Sequence, residues 1–530
     1  MTRQATGSAG VRTLEVAIQR LPAALANGTA LGVWADLIPD ALAVAAPSGS
    51  RTFAELEARC NQLARALRRH GLEAGDSVAL LCGNRAEFAE VMWATRRTGL
   101  RVTTLNWHLT PGEASYIIGD CDAKVLFVDA QFAQLGVALA GAGKLQHFLA
   151  IGGPIEGYDD YAGWLAGESG AEVENPTLGT QMLYTSGTTG RPKGVSRPPV
   201  AAPLSTTTIA ANYLPGASLH LLTGPLYHAA PLAFSLMLPH AFGCGVVMME
   251  RWDAELALEL IERHRITHTH MVPTMFHRLL TLPESARRRH DLSSLEFILH
   301  GAAPCPVPLK QALMDWLGPI VHEYYAATEG TGTSVDPETW LRKPGTVGLP
   351  SPADHVRILD EHGQLLAAGQ VGLVYLKGPD QGRFQYHNDP EKTEKAYRND
   401  YFTLGDLGYL DEDGYLFLTD RSAHLIISGG VNIYPAEVEA VLLTHPAVAD
   451  VGVIGVPNTE WGEEVKAVAT LQRGWVRSTE LTAELIEYCR NRLAHYKCPK
   501  SVDFVDELPR HDNGKLYKQK LRESYRPRSS

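Results

Sequence analysis

The stretch Gln181-Met-Leu-Tyr-Thr-Ser-Gly-Thr-Thr-Gly-Arg-Pro-Lys-Gly194 gathers three glycines, four hydroxyl side chains and one lysine into its last ten residues, behind a short apolar run. It reads as a strand running into a loop. Gly187, Gly190 and Gly194 let the backbone approach a ligand closely. Backbone N–H groups, the hydroxyls of Thr185, Ser186, Thr188 and Thr189 and the ammonium of Lys193 all donate, which suits the oxygens of a polyphosphate. The loop is not a Walker A sequence, because Lys193 stands between Pro192 and Gly194 instead of following Gly and preceding a hydroxyl.

Around this loop, short apolar runs alternate with amphipathic segments. Val78–Cys82, Val125–Asp129, Val246–Met249, His268–Val272 and Phe297–Leu299 read as strands, and Ala54–Arg69, Asp253–His264 and Val307–Leu317 as helices. That alternation predicts an α/β fold, with a large N-terminal domain of βα-layered, largely parallel sheets and ligands at the strand ends. Beyond Gly363 the texture turns to glycine-punctuated strands such as Val371–Leu376 and Gly414–Leu418, a β-rich subdomain of hairpins. From about Ser422 a small α+β unit follows, with a helix from Pro435 to Thr444, strands Val448–Val453 and Val465–Leu471, and a helix Thr479–His495. The boundary is expected at 420/421, dividing an N-terminal domain, 1–420, from a C-terminal domain, 421–530.

Composition narrows the function. Among 530 residues, 48 Lys+Arg against 59 Asp+Glu give a net charge of −11, which disfavours a duplex-DNA or anionic-membrane binder. The seven cysteines are scattered without a C-x-x-C pair, so neither a disulfide framework nor a zinc site is indicated and a cytoplasmic setting fits. No run of 18 apolar residues predicts stable membrane insertion.

The 181–194 loop resembles the signature of the adenylate-forming superfamily of acyl-CoA synthetases, luciferases and peptide-synthetase adenylation domains. Further segments resemble the family's motifs in order: Tyr324-Tyr-Ala-Ala-Thr-Glu-Gly330, Thr403-Leu-Gly-Asp406, Asp420-Arg421, Ser428-Gly-Gly-Val-Asn-Ile-Tyr-Pro435 and Asn513-Gly-Lys515. Overall the chain looks most like a fatty-acid-type acyl-CoA synthetase. The resemblance implies ATP, Mg²⁺ and coenzyme A as co-substrate: a carboxylate attacks the α-phosphorus, giving acyl-AMP and pyrophosphate, and a thiol then displaces AMP.

On this resemblance, Thr185, Ser186, Gly187, Thr188, Thr189, Gly190 and Lys193 hold the phosphates. Thr328 contacts the α-phosphate and Glu329 holds Mg²⁺, a hard cation that suits carboxylate oxygen. Tyr325 and the small residues Gly301, Ala302 and Ala303 accept adenine. Asp406 and Arg421 bind ribose, and Lys515 stabilises charge in the first transition state. Gly429 and Gly430 line the pantetheine approach, on a C-terminal domain expected to be mobile. Where the family's hinge usually has Asp or Lys, this chain has Ala423.

His228 resembles the aromatic gate between the nucleotide and acid pockets. Ala229, Phe234, Val272 and Met275, with His300 alongside, form the expected acid pocket, which is apolar and without an Asp to meet an amino group. A fatty, aryl or steroid-type acid fits it. His268, His270 and His277 read as structural and not as metal ligands. The partners expected are the acid, ATP and CoA, without nucleic acid, and a homodimer is left open. The alternatives to a CoA ligase are acyl delivery to a carrier protein and a non-catalytic nucleotide- or acyl-binding relative.

Overall fold

The computed structural model describes residues 8–185, 192–198, 212–378, 383–421, 424–428, 431–459, 461–510 and 516–525. The phosphate-loop residues Ser186, Gly187, Thr188, Thr189 and Gly190, the glycines Gly429 and Gly430, Ala423 and Lys515 lie outside them. The chain divides into two compact units. The first is Met1–His270 with Leu282–Ile298 and Pro379–Lys395; the second is Met271–Thr281, Leu299–Gly378 and Ala396–Ser530.

The first unit contains a parallel sheet in the spatial order Asp159–Asp160, His147–Ile151, Ala123–Asp129, Ser77–Leu81, Arg101–Thr104 and Thr180–Gln181. Every residue of Ser77–Leu81 is buried, as expected of a strand covered on both faces. A second set of strands, Leu42–Ala46, Gly245–Met248, Leu219–Leu222 and His268–Met271, is also parallel, with Gly49–Thr52 added antiparallel at the edge.

Helices begin where side chains can cap them. Phe53–Arg69 starts at a reciprocal box in which Glu55 N donates to Thr52 Oγ1 and Thr52 N to Glu55 Oε2, at 3.2 and 2.8 Å. Asp253 caps Ala254–His264 by accepting from Leu256 N at 2.8 Å. Buried side chains such as Trp34, Phe53, Phe88, Trp93 and Phe127 join these layers into one apolar core.

In the second unit, Thr346–Gly348, Leu416–Arg421, Tyr401–Leu410, Gly372–Lys377 and Val356–Leu359 form an antiparallel sheet, the hairpin-rich region read from the glycines. Farther along the chain, Val448–Asn458 and Gly462–Leu471 form a long antiparallel pair, extended by Ile426–Ser428 and Val431–Ile433 and by the parallel strand Ser501–Phe504. Helices Pro435–Leu442 and Thr479–Arg490 contribute to a separate core with Ile426, Val438, Val453, Val465 and Leu485. The second helix stops at Arg490, short of the expected His495, because Asn491 caps it and the chain passes into a 3₁₀ turn at His495–Lys497. The architecture is a large α/β region with mixed sheets followed by a smaller α+β subdomain.

Candidate active site

In the first unit, the loop read as the phosphate cradle is closed by an antiparallel pair. Leu183–Thr185 lies against Lys193–Ser196 with Thr185 opposite Lys193. Gly194 packs against Tyr184, where a Cβ would sit 3.0 Å from the ring. A third strand, Gln385–Tyr386, pairs with Val195 and Ser196 and sets the Tyr386 ring 5.1 Å from Lys193 Nζ, within cation–π range. His387 N donates to Gly194 O at 2.8 Å, and the His387 imidazole lies 3.0 Å from Asp120 O. Tyr386 and His387 were not read from the sequence. They lie some 190 residues beyond the loop, and no local pattern marks them.

His228 is half-buried at the N-cap of the short helix Ala229–Leu232, with its ring 4.4 Å from that of Tyr227. The helix passes into a π-helical stretch, Ala233–Met237, which carries Phe234 against His270 at a centroid distance of 5.9 Å. Of the expected acid-pocket residues, Ala229 and Phe234 belong to this unit, while Val272, Met275 and His300 belong to the second. His268 and His270 are buried on their strand, and among the described residues no group of three or more His, Cys, Asp or Glu is arranged to hold a metal.

The second unit brings together the nucleotide candidates. Strand Val321–Ala326 turns back into Thr331–Val335 through a tight corner in which Ala327 N donates to Gly330 O and Gly330 N to Ala327 O, at 2.8 and 3.2 Å. Thr328 and Glu329 occupy the tip of that corner, both half-buried. Glu329 offers the hard oxygen that Mg²⁺ prefers, and Thr328 adds a hydroxyl, so the residues present fit the ion.

Behind the corner, the Tyr325 hydroxyl donates to Asp406 Oδ2 at 2.7 Å. Asp406 is buried on Tyr401–Leu410, opposite Arg421, whose side chain lies outside the described residues. The bend before Asp406 comes from Gly405, at φ +77°, whose N–H donates to Thr403 Oγ1 at 3.1 Å. Gly301 presses on Tyr324 so closely that a Cβ would meet the ring at 2.6 Å and the backbone oxygen at 2.7 Å. Ala302 follows at φ +66°, a left-handed conformation unusual for a residue with a side chain, and Ala303 is half-buried beside it.

The family model for AMP-binding enzymes matches residues 33–384, and that for the AMP-binding enzyme C-terminal domain matches 437–515. The chain belongs to the AMP-binding enzyme family. It is 34% identical to the 2-succinylbenzoate–CoA ligase of Bacillus licheniformis, over 92% of this chain and 98% of that protein. It is likewise 34% identical to a feruloyl-CoA synthase of an Amycolatopsis species, over 93% and 99% of the two chains. Among solved structures, the anthranilate–CoA ligase AuaEII in complex with anthranoyl-AMP matches with a TM-score of 0.84 at 27% identity, over 94% of this chain and 97% of that one. This AMP-binding enzyme is an AMP-forming ligase by family, and ATP and Mg²⁺ follow from that membership. Among the described residues, no helix is long and apolar enough to cross a membrane.

Proposed function

We propose that this AMP-binding enzyme is an ATP-dependent carboxylic acid:CoA ligase acting on a hydrophobic acid. The reading is carried by the Tyr325–Asp406 hydrogen bond, which brings an adenine-facing ring and a ribose-facing carboxylate together across 81 residues of sequence. Asp406 accepts from ribose hydroxyls while Tyr325 holds its carboxylate, which has lone pairs for both. Gly301, Ala302 and Ala303 present backbone and methyl groups to the adenine ring. Thr328 donates to the α-phosphate, and Lys193 with the hydroxyls of the 185–189 loop restrains the β- and γ-phosphates. Glu329 would hold Mg²⁺, which when bound would supply positive charge to offset that of the phosphates. Lys515, on a C-terminal domain beginning at 421, meets the charge that builds as the acid carboxylate attacks the α-phosphorus, so catalysis is positioning plus positive electrostatics and needs no protein nucleophile.

The residues read from the sequence as the acid gate and pocket, His228 with Ala229, Phe234, Val272 and Met275, include one imidazole and no carboxylate. This favours a fatty, aryl or steroid-type acid over an amino acid. The names of other relatives range from indoleacetate, in Aromatoleum aromaticum, to long-chain fatty acids, in Mycobacterium tuberculosis, so similarity supports the acid–CoA ligase class without favouring one acid. Gly429 and Gly430 give the pantetheine arm of CoA a path free of side chains.

The test is acyl-CoA formation, followed by mass spectrometry, with purified protein, ATP, Mg²⁺, CoA and a panel of fatty, aryl and steroid-type acids. The reading predicts a thioester and AMP in equal amounts with at least one acid class. Acid-dependent pyrophosphate release that stops near one equivalent despite CoA would assign the acyl group to another acceptor, such as a carrier protein. ATP binding without pyrophosphate release across the panel would contradict the ligase reading.

A further inference from the structure

Helix Val307–Leu317 is amphipathic, yet its single lysine faces inward. Lys310 is fully buried, with its ammonium 2.9 Å from Glu323 Oε2 and 4.7 Å from the centroid of the Trp340 ring. The same carboxylate oxygen lies 3.3 Å from Nε2 of His300, whose ring meets Phe276 edge-on at 5.1 Å. His300, Phe276 and Trp340 are themselves buried, so a lysine, a carboxylate and an imidazole share one buried cluster of the second unit. Burial alone would push the Glu323 carboxyl up, but His300 and Lys310 outweigh it and hold the group below the ordinary carboxylate range. Burial lowers the His300 imidazole.

Such a buried cluster is a poor way to stabilise a core, because desolvation of the ions offsets their attraction and apolar packing would serve as well. What it provides is direction. Glu323 lies two residues before Tyr325 on the same strand, hence on the same face. His300 ends the strand Phe297–His300 and leads straight into Gly301, pressed on Tyr324, and Ala302, held at positive φ. A strained backbone persists only where its surroundings over-determine it. The oxygen shared by Lys310 and His300 therefore couples the two segments read as the adenine platform, one on each side.

We propose that Lys310, Glu323 and His300 form a positioning network that fixes the Gly301–Pro304 segment against the Tyr325 strand and so sets nucleotide affinity, without touching the nucleotide. The inference rests on those segments contacting adenine, as read above. His300 then acts through Glu323 and not as a wall of the acid pocket.

The test uses the full chain as wild type, Lys310→Met, and the paired Lys310→Met/Glu323→Gln, measuring ATP affinity by calorimetry, the KM for the acid and the thermal midpoint. Lys310→Met leaves a carboxylate buried without its lysine and lowers the midpoint. The paired variant removes both charges at similar volume and keeps the chain folded. In the paired variant the network predicts a midpoint near wild type, ATP affinity weaker by about ten- to a hundredfold, and an acid KM within about twofold. Wild-type ATP affinity in the paired variant, or equal changes in ATP affinity and acid KM, would overturn it. Wild type that fails to bind ATP at all would instead overturn the ligase reading.

Discussion

The Tyr325 hydroxyl donates a 2.7 Å hydrogen bond to Oδ2 of Asp406, joining the strand before the Thr328–Glu329 corner to the strand Tyr401–Leu410, in which Asp406 follows Thr403-Leu-Gly405. Both side chains are at least nine-tenths buried, so the bond forms where competing water is scarce. Tyr325→Phe keeps the flat ring and removes only the donor. It is expected to lower stability by about 1.5–3 kcal/mol, the range for a hydrogen bond to a charged group. Denaturant unfolding of the two proteins checks this. ATP affinity, measured by calorimetry, should fall less in Tyr325→Phe than in Asp406→Asn, because only the latter removes the carboxylate charge proposed to meet ribose.

Gly301 tolerates no side chain. A Cβ there would stand 2.7 Å from the backbone oxygen of Tyr324, an atom that cannot swing aside. Gly301→Ala is expected to destabilise by about 1–3 kcal/mol, as other overpacked sites do, and to weaken ATP binding by shifting the Tyr325 strand. Ala302→Gly is the counterpart. It relieves the positive φ at that position and should leave stability within about 1 kcal/mol of wild type, the relief being offset by a freer unfolded chain. Thermal melts of both variants separate the two effects.

Lys193 stands opposite Thr185 at the base of the phosphate loop, with its ammonium over the Tyr386 ring. Lys193→Met preserves most of the packing against Tyr386 and deletes the charge. It should reduce kcat/KM for ATP by about 10²-fold, comparable with losing one preorganised donor, with an unchanged thermal midpoint. Steady-state pyrophosphate release at varied ATP reads this out.

The first unit also carries an acid-sensitive group. His240 is buried, with Nε2 2.9 Å from Ala43 O and Nδ1 accepting from Trp93 Nε1 at 3.1 Å, so the fold favours a neutral imidazole of one tautomer. Burial lowers its pKa from the ordinary 6.5 to about 4. His220 is shifted in the same direction, by burial first and by His268, His270 and His240 next. The unfolded chain therefore binds more protons than the folded one below pH 6.5. Stability is complete above that pH and falls as pH drops towards 4, by about 3 kcal/mol from His240 alone. Urea unfolding at neutral pH, pH 5.5 and pH 4.5 should show that decline, and His240→Asn should flatten it relative to wild type.

Much of the architecture was legible because the longer core strands, such as Ser77–Leu81 and Ala123–Asp129, carried their own apolar signal. The helix Val307–Leu317 was read with its observed bounds, and Phe53–Arg69 differs by one residue at a capping box. The segments read as the phosphate loop and as the Thr328–Glu329 pair stand out in the sequence because their residues are contiguous. What escaped was long-range. Tyr386 and His387 reach the phosphate loop through a two-residue strand, too short to show periodicity. Lys310 sits on a helix where a lysine ordinarily faces water, and only its partner on a neighbouring strand shows why it is buried. The left-handed Ala302 was invisible too, since alanine carries none of the expectation that glycine or asparagine would.

The central claim is that this AMP-binding enzyme activates a carboxylic acid as its adenylate at the site organised by Tyr325 and Asp406. Acid-dependent exchange of labelled pyrophosphate into ATP measures that half-reaction alone, before any acyl acceptor is needed. The account predicts exchange with at least one hydrophobic acid and its collapse in both Asp406→Asn and Lys515→Ala. Exchange that persists at the wild-type rate in Asp406→Asn would contradict it.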